Sequence, residues 1–317
     1  MYKIIFNKKI KMECNPAEDA RQIQLILSGK EKDDDKLIKL VTSRTNEERL
    51  KIKDEYNSSF NSDLIKDLKK SYSFHFEDVL VGLFYPPVEY DCYHIRKAVK
   101  GLGTDEDTLI EILATRDSEH IEKMKSKYKD MFPGRDMVQD IKDDTNGSFW
   151  KVLSTLLETK RDDGKNITKE KCREDARKLY DAGLSKTNHV EIFTEIFTQR
   201  AKYELLEISK IYHQISKNSI LEDVQNIFSG NTRNALEGII YGILSPSEYF
   251  AKILYKSMKG LGTSDTTLIR VIISRNEIDM PQIKQYYKNL YNKDLVQDIK
   301  GDTSGNYQKI LVELVTH

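Results

Sequence analysis

The chain has 317 residues, and its 51 basic and 51 acidic side chains cancel, which excludes a bulk attraction to nucleic acid or to an acidic surface. Its 3 cysteines are too few and too scattered for a disulfide framework, and no apolar run is long enough to cross a bilayer. These totals predict a cytoplasmic protein that associates with a membrane only peripherally, when something recruits it.

The predicted elements, taken in chain order, include apolar helices that end in arginine and recur. "LIKLVTSR" ends at Arg44 and "LIEILATR" at Arg116, and later "IFTEIFTQR" ends at Arg200 and "LIRVIISR" at Arg275. A motif that returns at such a spacing is typical of helical repeat proteins. The sequence therefore predicts a short N-terminal segment (1–13), repeat 1 (14–85), repeat 2 (86–160), a polar linker (161–169) that divides the repeats two and two, repeat 3 (170–246) and repeat 4 (247–317).

Each repeat is predicted to contain about five helices. In repeat 2 a proline turn precedes the helix of "PPVEYDCYHIRKAV", a glycine loop follows it, and apolar residues then recur at intervals of three and four. The hydroxyl of Thr104, followed directly by acidic residues, is typical of a helix N-cap. No segment shows the sustained alternation of a strand, so the predicted fold is all-α.

The glycine loop occurs twice. "KGLGTDEDTLIEILATR" at 100–116 returns as "KGLGTSDTTLIRVIISR" at 259–275, with 9 of 17 positions identical. A single Gly-x-Gly is most simply a turn that ends a helix. It is not a nucleotide-binding phosphate loop, because the preceding strand and the Gly-Lys-Ser/Thr ending are both missing.

An aspartate in a tight turn follows each glycine loop. Asp144 in "DTNG" and Asp302 in "DTSG" stand 41 and 40 residues after the second glycine of their loops. Three loop carbonyls and one two-oxygen carboxylate supply five of the roughly 6–8 oxygen ligands that Ca²⁺ prefers, whereas Mg²⁺ demands a stricter octahedron. One carboxylate leaves the ion positively charged and incompletely coordinated, so a phospholipid phosphate is the expected further ligand. Calcium and membrane should then strengthen each other's binding.

The paired motifs and the four arginine-ended units closely resemble the annexin family, over nearly the whole chain after residue 13. The resemblance implies four annexin-type repeats arranged as a curved disc, which binds acidic phospholipid, phosphatidylserine for example, through Ca²⁺ on its convex face. It also implies the metal ligands of each site. These are the carbonyls of Val99, Gly101 and Gly103 with Asp144 in repeat 2, and the carbonyls of Met258, Gly260 and Gly262 with Asp302 in repeat 4.

The resemblance also allows secondary calcium sites, at Thr104 with Glu106 and at Thr263 with Asp265. A plainer interpretation is equally available for these acids. Carboxylates at the start of a helix interact favourably with the helix dipole on a solvated face, without any metal.

Repeats 1 and 3 depart from the pattern. Aligned on the arginines, repeat 1 has Glu31 where the second glycine should stand and Ser71 where the carboxylate should stand. Repeat 3 has Ser185 and Thr187 in place of the glycines, with Gly230 or a neighbour in place of the carboxylate. The sequence therefore predicts two working membrane sites rather than four.

Four further charged residues are interpreted as structural rather than functional. Asp91, Glu111, Arg116 and Arg275 fall where annexins line a polar channel, and they are expected to form salt bridges between repeats. No catalytic grouping can be argued, so an enzyme is not expected. The N-terminal segment either recruits a partner or packs as a strap along the fold. A rival class remains open, in which the chain is a cytoskeleton-associated or other scaffold protein that uses the fold with little need for lipid.

Overall fold

The computed structural model describes residues 14–31, 33–158, 168–260 and 262–316. The predicted N-terminal segment and most of the predicted linker lie outside these residues. All regular secondary structure in the described residues is helical, which confirms the all-α prediction, and it comprises 20 helices, five for each repeat. Of these helices, none is both long and apolar enough to cross a membrane.

Repeats 1 and 4 form one compact unit, which contains the described residues of 1–86 and 250–317. Its apolar core is continuous between the two repeats, because α2 and α5 of repeat 1 pack against α17 and α20 of repeat 4. The helices of this unit are α1 (Pro16–Leu27), α2 (Asp34–Thr42), α3 (Asn46–Phe60), α4 (Leu64–Ser71), α5 (Phe74–Leu83), most of α16 (Pro246–Met258), α17 (Asp265–Arg275), α18 (Met280–Tyr291), α19 (Leu295–Asp302) and α20 (Gly305–Thr316).

Repeats 2 and 3 form the second compact unit, residues 87–249. Here α7 and α10 of repeat 2 pack against α15 and α12 of repeat 3. The linker predicted to divide the repeats two and two therefore connects two repeats of the same unit. Its helices are α6 (Pro87–Ala98), α7 (Glu106–Thr115), α8 (Ser118–Met131), α9 (Met137–Asp144), α10 (Gly147–Glu158), α11 (Lys169–Ser185), α12 (His189–Gln199), α13 (Lys202–Ser216), α14 (Ile220–Ile227) and α15 (Gly230–Leu244).

One hydrogen bond recurs in all four repeats, between a tyrosine of the third helix and an aspartate of the fourth. Burial and the neighbouring carboxylate raise the pKa of each tyrosine, so the phenol stays protonated and acts as the donor. Because the bond ties two helices of one repeat, it fixes the repeat's internal geometry. The four O···O distances are 3.0 Å for Tyr56–Asp67, 2.7 Å for Tyr128–Asp140, 2.8 Å for Tyr212–Asp223 and 2.7 Å for Tyr287–Asp298.

The arginine that ends the second helix pairs with a buried aspartate 25 residues earlier in repeats 1, 2 and 3. In repeat 2, Arg116 Nε lies 2.7 Å from Asp91, and His120 Nε2 lies 2.8 Å from the same carboxylate. Burial alone would raise the pKa of Asp91, but Arg116 and His120 more than offset it, and the pKa falls below its ordinary range. These bridges lie within repeats, and the expectation of bridges between repeats is wrong for Asp91 and Arg116.

Repeat 4 departs from this pairing. The residue 25 positions before Arg275 is Phe250, and the guanidinium lies over its ring at 4.4 Å from the centroid. Arg275 Nε instead donates to Asp279 at 2.8 Å, four residues further along the chain. The Arg275 bridge is thus also internal to its repeat, because its carboxylate partner follows it locally.

Candidate metal sites

The glycine loop of repeat 2 connects the end of α6 at Ala98 to the start of α7 at Glu106. The Asp105 N–H donates to the Ala98 carbonyl at 2.9 Å and closes the loop at its base. Gly101 and Gly103 have φ of +122° and +89°, and a Cβ added to either would meet nothing within 4 Å. Glycine is therefore required here by the backbone angle and not by lack of space.

The described residues of the glycine loop in repeat 4 repeat these features. The Ser264 N–H donates to the Ser257 carbonyl at 2.7 Å. Gly260 and Gly262 have φ of +115° and +87°, within a few degrees of their counterparts in repeat 2. The two loops match in sequence, and they also match in the backbone angles of their glycines and in the hydrogen bond that closes each loop.

The structure brings each loop to the aspartate that follows it about forty residues later. Thr104 Oγ1 donates to Asp144 Oδ2 at 3.0 Å, and Thr263 Oγ1 donates to Asp302 Oδ2 at 3.0 Å. The two aspartates are the last residues of α9 and α19, the fourth helices of their repeats. A carboxylate therefore lies beside each glycine loop. In both repeats it accepts a hydrogen bond from the threonine that follows the second glycine.

Within the described residues, the carbonyl oxygens predicted as ligands accept no hydrogen bond. Across the described residues, no N–H or side chain donates a hydrogen bond to the carbonyl oxygens of Val99, Gly101 and Gly103, nor to those of Met258, Gly260 and Gly262. Leu102, between the two glycines of repeat 2, is fully exposed, so its loop lies open to solvent. No three His, Cys, Asp or Glu side chains of the described ranges converge on one point. Each loop instead offers one carboxylate with several carbonyls, a hard oxygen set of the kind that Ca²⁺ prefers.

The N-cap of α7 is Asp105, and the prediction of Thr104 was wrong. The Asp105 carboxylate accepts a hydrogen bond from the Thr108 N–H at 3.0 Å, as a capping side chain does. Thr104 donates to Asp144 instead. The hydroxyl therefore positions the candidate ligand, and the neighbouring acid caps the helix.

The acid of each secondary site has a protein partner from another repeat, and Asp265 has a second partner in its own repeat. Glu106 accepts from Asn231 Nδ2 at 3.0 Å. Asp265 accepts from the Tyr307 hydroxyl at 2.8 Å and lies 3.2 Å from His75 Nε2, and burial together with this carboxylate raises the pKa of Tyr307. Nothing in the local sequence signals these partners, because they are distant in the chain. The secondary sites at Thr104 with Glu106 and at Thr263 with Asp265 stay predictions.

The corresponding loop of repeat 1 has only half of the glycine geometry. Gly29 is left-handed with φ of +73°, but Glu31 is not among the residues with positive φ. The Glu31 N–H donates to the Leu25 carbonyl at 3.1 Å, and its carboxylate pairs with Lys36 Nζ at 2.9 Å. Ser71 is the last residue of α4, the place that Asp144 holds in α9. Repeat 1 therefore lacks both the second turn and the carboxylate.

Repeat 3 has a shorter loop, because its first helix extends into the positions where the loop begins. Its first helix has 17 residues and runs to Ser185, whereas α6 has 12, so the helix occupies positions that form the loop in repeat 2. Left-handed angles occur at Lys186 and Asn188, not at the aligned positions of the glycines. The end of the fourth helix, where a carboxylate would stand, is Ile227. The prediction that placed this position at or near Gly230 was wrong, because Gly230 aligns with Gly147 at the start of the fifth helix.

Comparison with known proteins agrees with the repeat architecture. The family model for annexin matches the chain four times, at residues 18–83, 90–156, 174–239 and 249–314. Human Annexin A4 is 42% identical over 301 residues, which are 95% of this chain and 94% of that protein. Both matches extend across all four repeats.

Solved structures show the same likeness in three dimensions. The structure of annexin III superposes with a TM-score of 0.92 at 33% identity and covers 96% of this chain and 95% of its own. A structure described as calcium-bound annexin (Sm)1 gives a TM-score of 0.86 at 29% identity, over 96% of this chain and 90% of its own.

Proposed function

Because the chain belongs to the annexin family, whose members generally bind phospholipids in a Ca²⁺-dependent way, we propose that it binds acidic phospholipid membranes when Ca²⁺ occupies repeats 2 and 4. The observation that carries the proposal is the same arrangement found twice. In each of these repeats a loop with two left-handed glycines stands beside an aspartate held by a threonine hydroxyl at 3.0 Å.

In repeat 2 the proposed ligands are the carbonyls of Val99, Gly101 and Gly103 and the side chain of Asp144. The left-handed glycines turn the exposed backbone, and Thr104 holds the carboxylate beside it. Bound Ca²⁺ would supply net positive charge and open coordination positions, because one carboxylate neutralises only half of its charge. Lipid phosphates would complete the shell, and phosphatidylserine, with its acidic head group, is a suitable lipid.

Repeat 4 would hold its ion in the same way, through the carbonyls of Met258, Gly260 and Gly262 and the side chain of Asp302. Two weak sites on one chain that engage the same membrane give avidity. Binding through both can exceed either affinity by roughly 10²–10⁴. We propose a cytoplasmic protein that associates peripherally with membranes as Ca²⁺ rises, with no catalytic role.

Sedimentation with vesicles tests the proposal. The chain should pellet with phosphatidylserine vesicles in Ca²⁺, stay in the supernatant with phosphatidylcholine alone, and leave the pellet when excess chelator is added. A scaffold protein without lipid dependence would stay in the supernatant throughout, and that outcome contradicts the proposal. Calorimetry should also show weaker Ca²⁺ binding without vesicles than with them. Equal affinity would contradict a phosphate-bridged ion.

A further inference from the structure

The fifth helix of every repeat begins at a residue with left-handed backbone angles. This residue is glycine in three repeats, where Gly147, Gly230 and Gly305 have φ of +56°, +57° and +63°. In repeat 1 it is Phe74, with φ of +57°. A bulky side chain at positive φ is a genuine outlier, and such strain tends to persist at functional positions.

The Phe74 ring does not contribute to the core. It is 85% exposed, whereas Phe76 two residues later is buried and packs edge-on against Tyr72. An exposed phenyl ring gains nothing from burial and leaves apolar surface in water. Neither local backbone preference nor packing therefore accounts for phenylalanine at this position.

Phe74 lies close to the candidate site of repeat 4. It lines a surface depression of about 420 Å³ together with Ser304, Asn306 and Tyr307, all within five residues of Asp302. Since the turn after Asp302 borders the same depression, a membrane that reaches the ion of repeat 4 would also approach the Phe74 ring.

Charged residues of both signs flank Phe74 in the chain, with Glu77 and Asp78 after it in α5 and two lysines before it in α4. Lys69 and Lys70 lie in the last turn of α4 and are exposed, and Ser71 follows them in the place of the aspartate. Lysines beside an exposed aromatic ring suit both the charged head-group region and the apolar interior of an acidic bilayer. The ammonium groups attract the head groups, and the ring enters the apolar region below them.

We propose that repeat 1, which lacks a calcium loop, contacts the acidic bilayer directly, with Phe74 inserted among the lipid acyl chains and Lys69 and Lys70 at the head groups. This inference rests on the proposed calcium-dependent membrane binding and adds a metal-free anchor to it. In the compact unit of repeats 1 and 4, the ion of repeat 4 would bring the surface to the bilayer, and Phe74 would anchor it there.

The test compares Phe74→Ala and Phe74→Gly with the unmodified chain, on vesicles of phosphatidylserine and phosphatidylcholine. Loss of one buried phenyl ring should raise the Ca²⁺ concentration for half-maximal sedimentation by about tenfold in both variants. Ile278→Ala is the control, because Ile278 is an exposed apolar residue of the same unit outside this depression. Its calcium requirement should not change. Phe74→Gly should melt no lower than the unmodified chain, since it relieves the left-handed strain.

Insertion has a direct optical readout. In a Trp150→Phe background, which removes the chain's single tryptophan, Phe74→Trp should shift its emission to the blue on vesicles with Ca²⁺. Bromine-labelled acyl chains should quench that emission, and chelator should reverse both effects.

The outcomes separate the two proposals. If the unmodified chain does not sediment in Ca²⁺, the proposed function and the anchor both fail. Where it sediments and the Phe74 variants match it, only the anchor is overturned. An emission shift that depends on protein concentration and ignores bromolipid would show a protein contact at Phe74, which also overturns the anchor.

Discussion

Repeats 4 and 1 share one compact unit and one five-helix plan, yet only repeat 4 keeps both parts of the calcium loop. Gly262 is left-handed in repeat 4, and its counterpart Glu31 is not in repeat 1. Asp302 ends the fourth helix of repeat 4, where Ser71 ends that of repeat 1. The two repeats therefore differ at the loop and agree in the framework that supports it.

The agreement shows what the fold itself requires. Tyr56 and Tyr287 make the same hydrogen bond to the fourth helix, and Asp63 and Asp294 cap that helix in the same way. Both tyrosines are buried, where losing a hydrogen-bond partner destabilises the protein, and both aspartates satisfy a backbone N–H at the start of a helix. The residues of the exposed calcium loop take no part in these framework contacts, so they can change without unfolding the repeat.

The largest effect should follow from removing both candidate carboxylates. Asp144→Ala with Asp302→Ala should abolish Ca²⁺-dependent sedimentation, because each site then loses its only carboxylate ligand. Either single variant should still bind, but more weakly and with a shallower calcium dependence. Each single variant should lose the avidity of two sites, which contributes a factor of roughly 10²–10⁴ to vesicle binding.

Asp143→Ala is the matched control for this pair. Asp143 is exposed beside Asp144 and contacts Gln139 of its own helix at 2.6 Å, so its removal should leave vesicle binding unchanged. The double variant should keep its helical circular dichroism. If it still pelleted with vesicles on addition of Ca²⁺, the assignment of these carboxylates would be wrong.

The arginine bridges offer the next largest effect, on stability. Asp19→Asn in repeat 1 should lower the free energy of unfolding by about 3–5 kcal/mol, because it removes the charge of one partner in a buried ion pair. Asp279→Asn in repeat 4 should cost only about 1 kcal/mol, since Arg275 also stacks on Phe250. Urea denaturation of the two variants measures the difference. Equal losses would show that the stacked ring does not stabilise Arg275.

The fold could be predicted from the sequence because its signals are local. The apolar periodicity and the arginine that ends each second helix determine four repeats of five helices. The pairing of repeat 1 with repeat 4 could not be predicted in this way. It depends on the packing of α2 and α5 against α17 and α20, which are remote in the chain.

The candidate sites follow the same division. The glycine loop and the aspartate were recognisable because both recur at nearly the same spacing, and the structure places them side by side. The contacts of Asp265 with His75 and Tyr307 were missed because both partners are remote from Asp265 in the chain. The unusual position of Phe74, in contrast, could have been recognised from the sequence. Aligning the turns that precede the fifth helices places it opposite three glycines.

A single alanine should make the repeat 4 loop resemble that of repeat 1. Gly262→Ala places a side chain at φ of +87°, where nothing lies within 4 Å of the new Cβ. Strain of about 1–2 kcal/mol is then the only penalty, so Ca²⁺ affinity at this site should fall by roughly tenfold. Calorimetry in an Asp144→Ala background isolates the site.

Gly301→Ala is the matched control for that change. Gly301 precedes Asp302 in α19, has no left-handed angle, and also has nothing within 4 Å of an added Cβ. Alanine should be neutral or slightly stabilising there, since it favours helix. An equal loss of Ca²⁺ affinity in both variants would show that the backbone angle of the loop is not what matters.

The smallest expected effect is a gain, in which repeat 1 is converted toward repeat 4. Ser71→Asp alone should add little, because Glu31 stays without a left-handed turn and its carboxylate stays paired with Lys36. Glu31→Gly with Ser71→Asp restores both missing parts, next to Gly29, which is already left-handed at φ of +73°. The double variant should bind one additional Ca²⁺. It should also sediment at a calcium concentration lower by a roughly few-fold factor, which is what a third weak site would add to avidity.

Repeat 3 serves as the control for this conversion. Its α11 continues to Ser185, the position of the first loop glycine, so adding a carboxylate alone, as Ile227→Asp, cannot create the two-glycine loop. That variant should bind no additional ion in calorimetry or in a crystal soaked in Ca²⁺. Ordered Ca²⁺ in the loops of repeats 1 or 3 of the unmodified chain would contradict the two-site interpretation. It would show that the left-handed glycine pair is not needed to hold the ion.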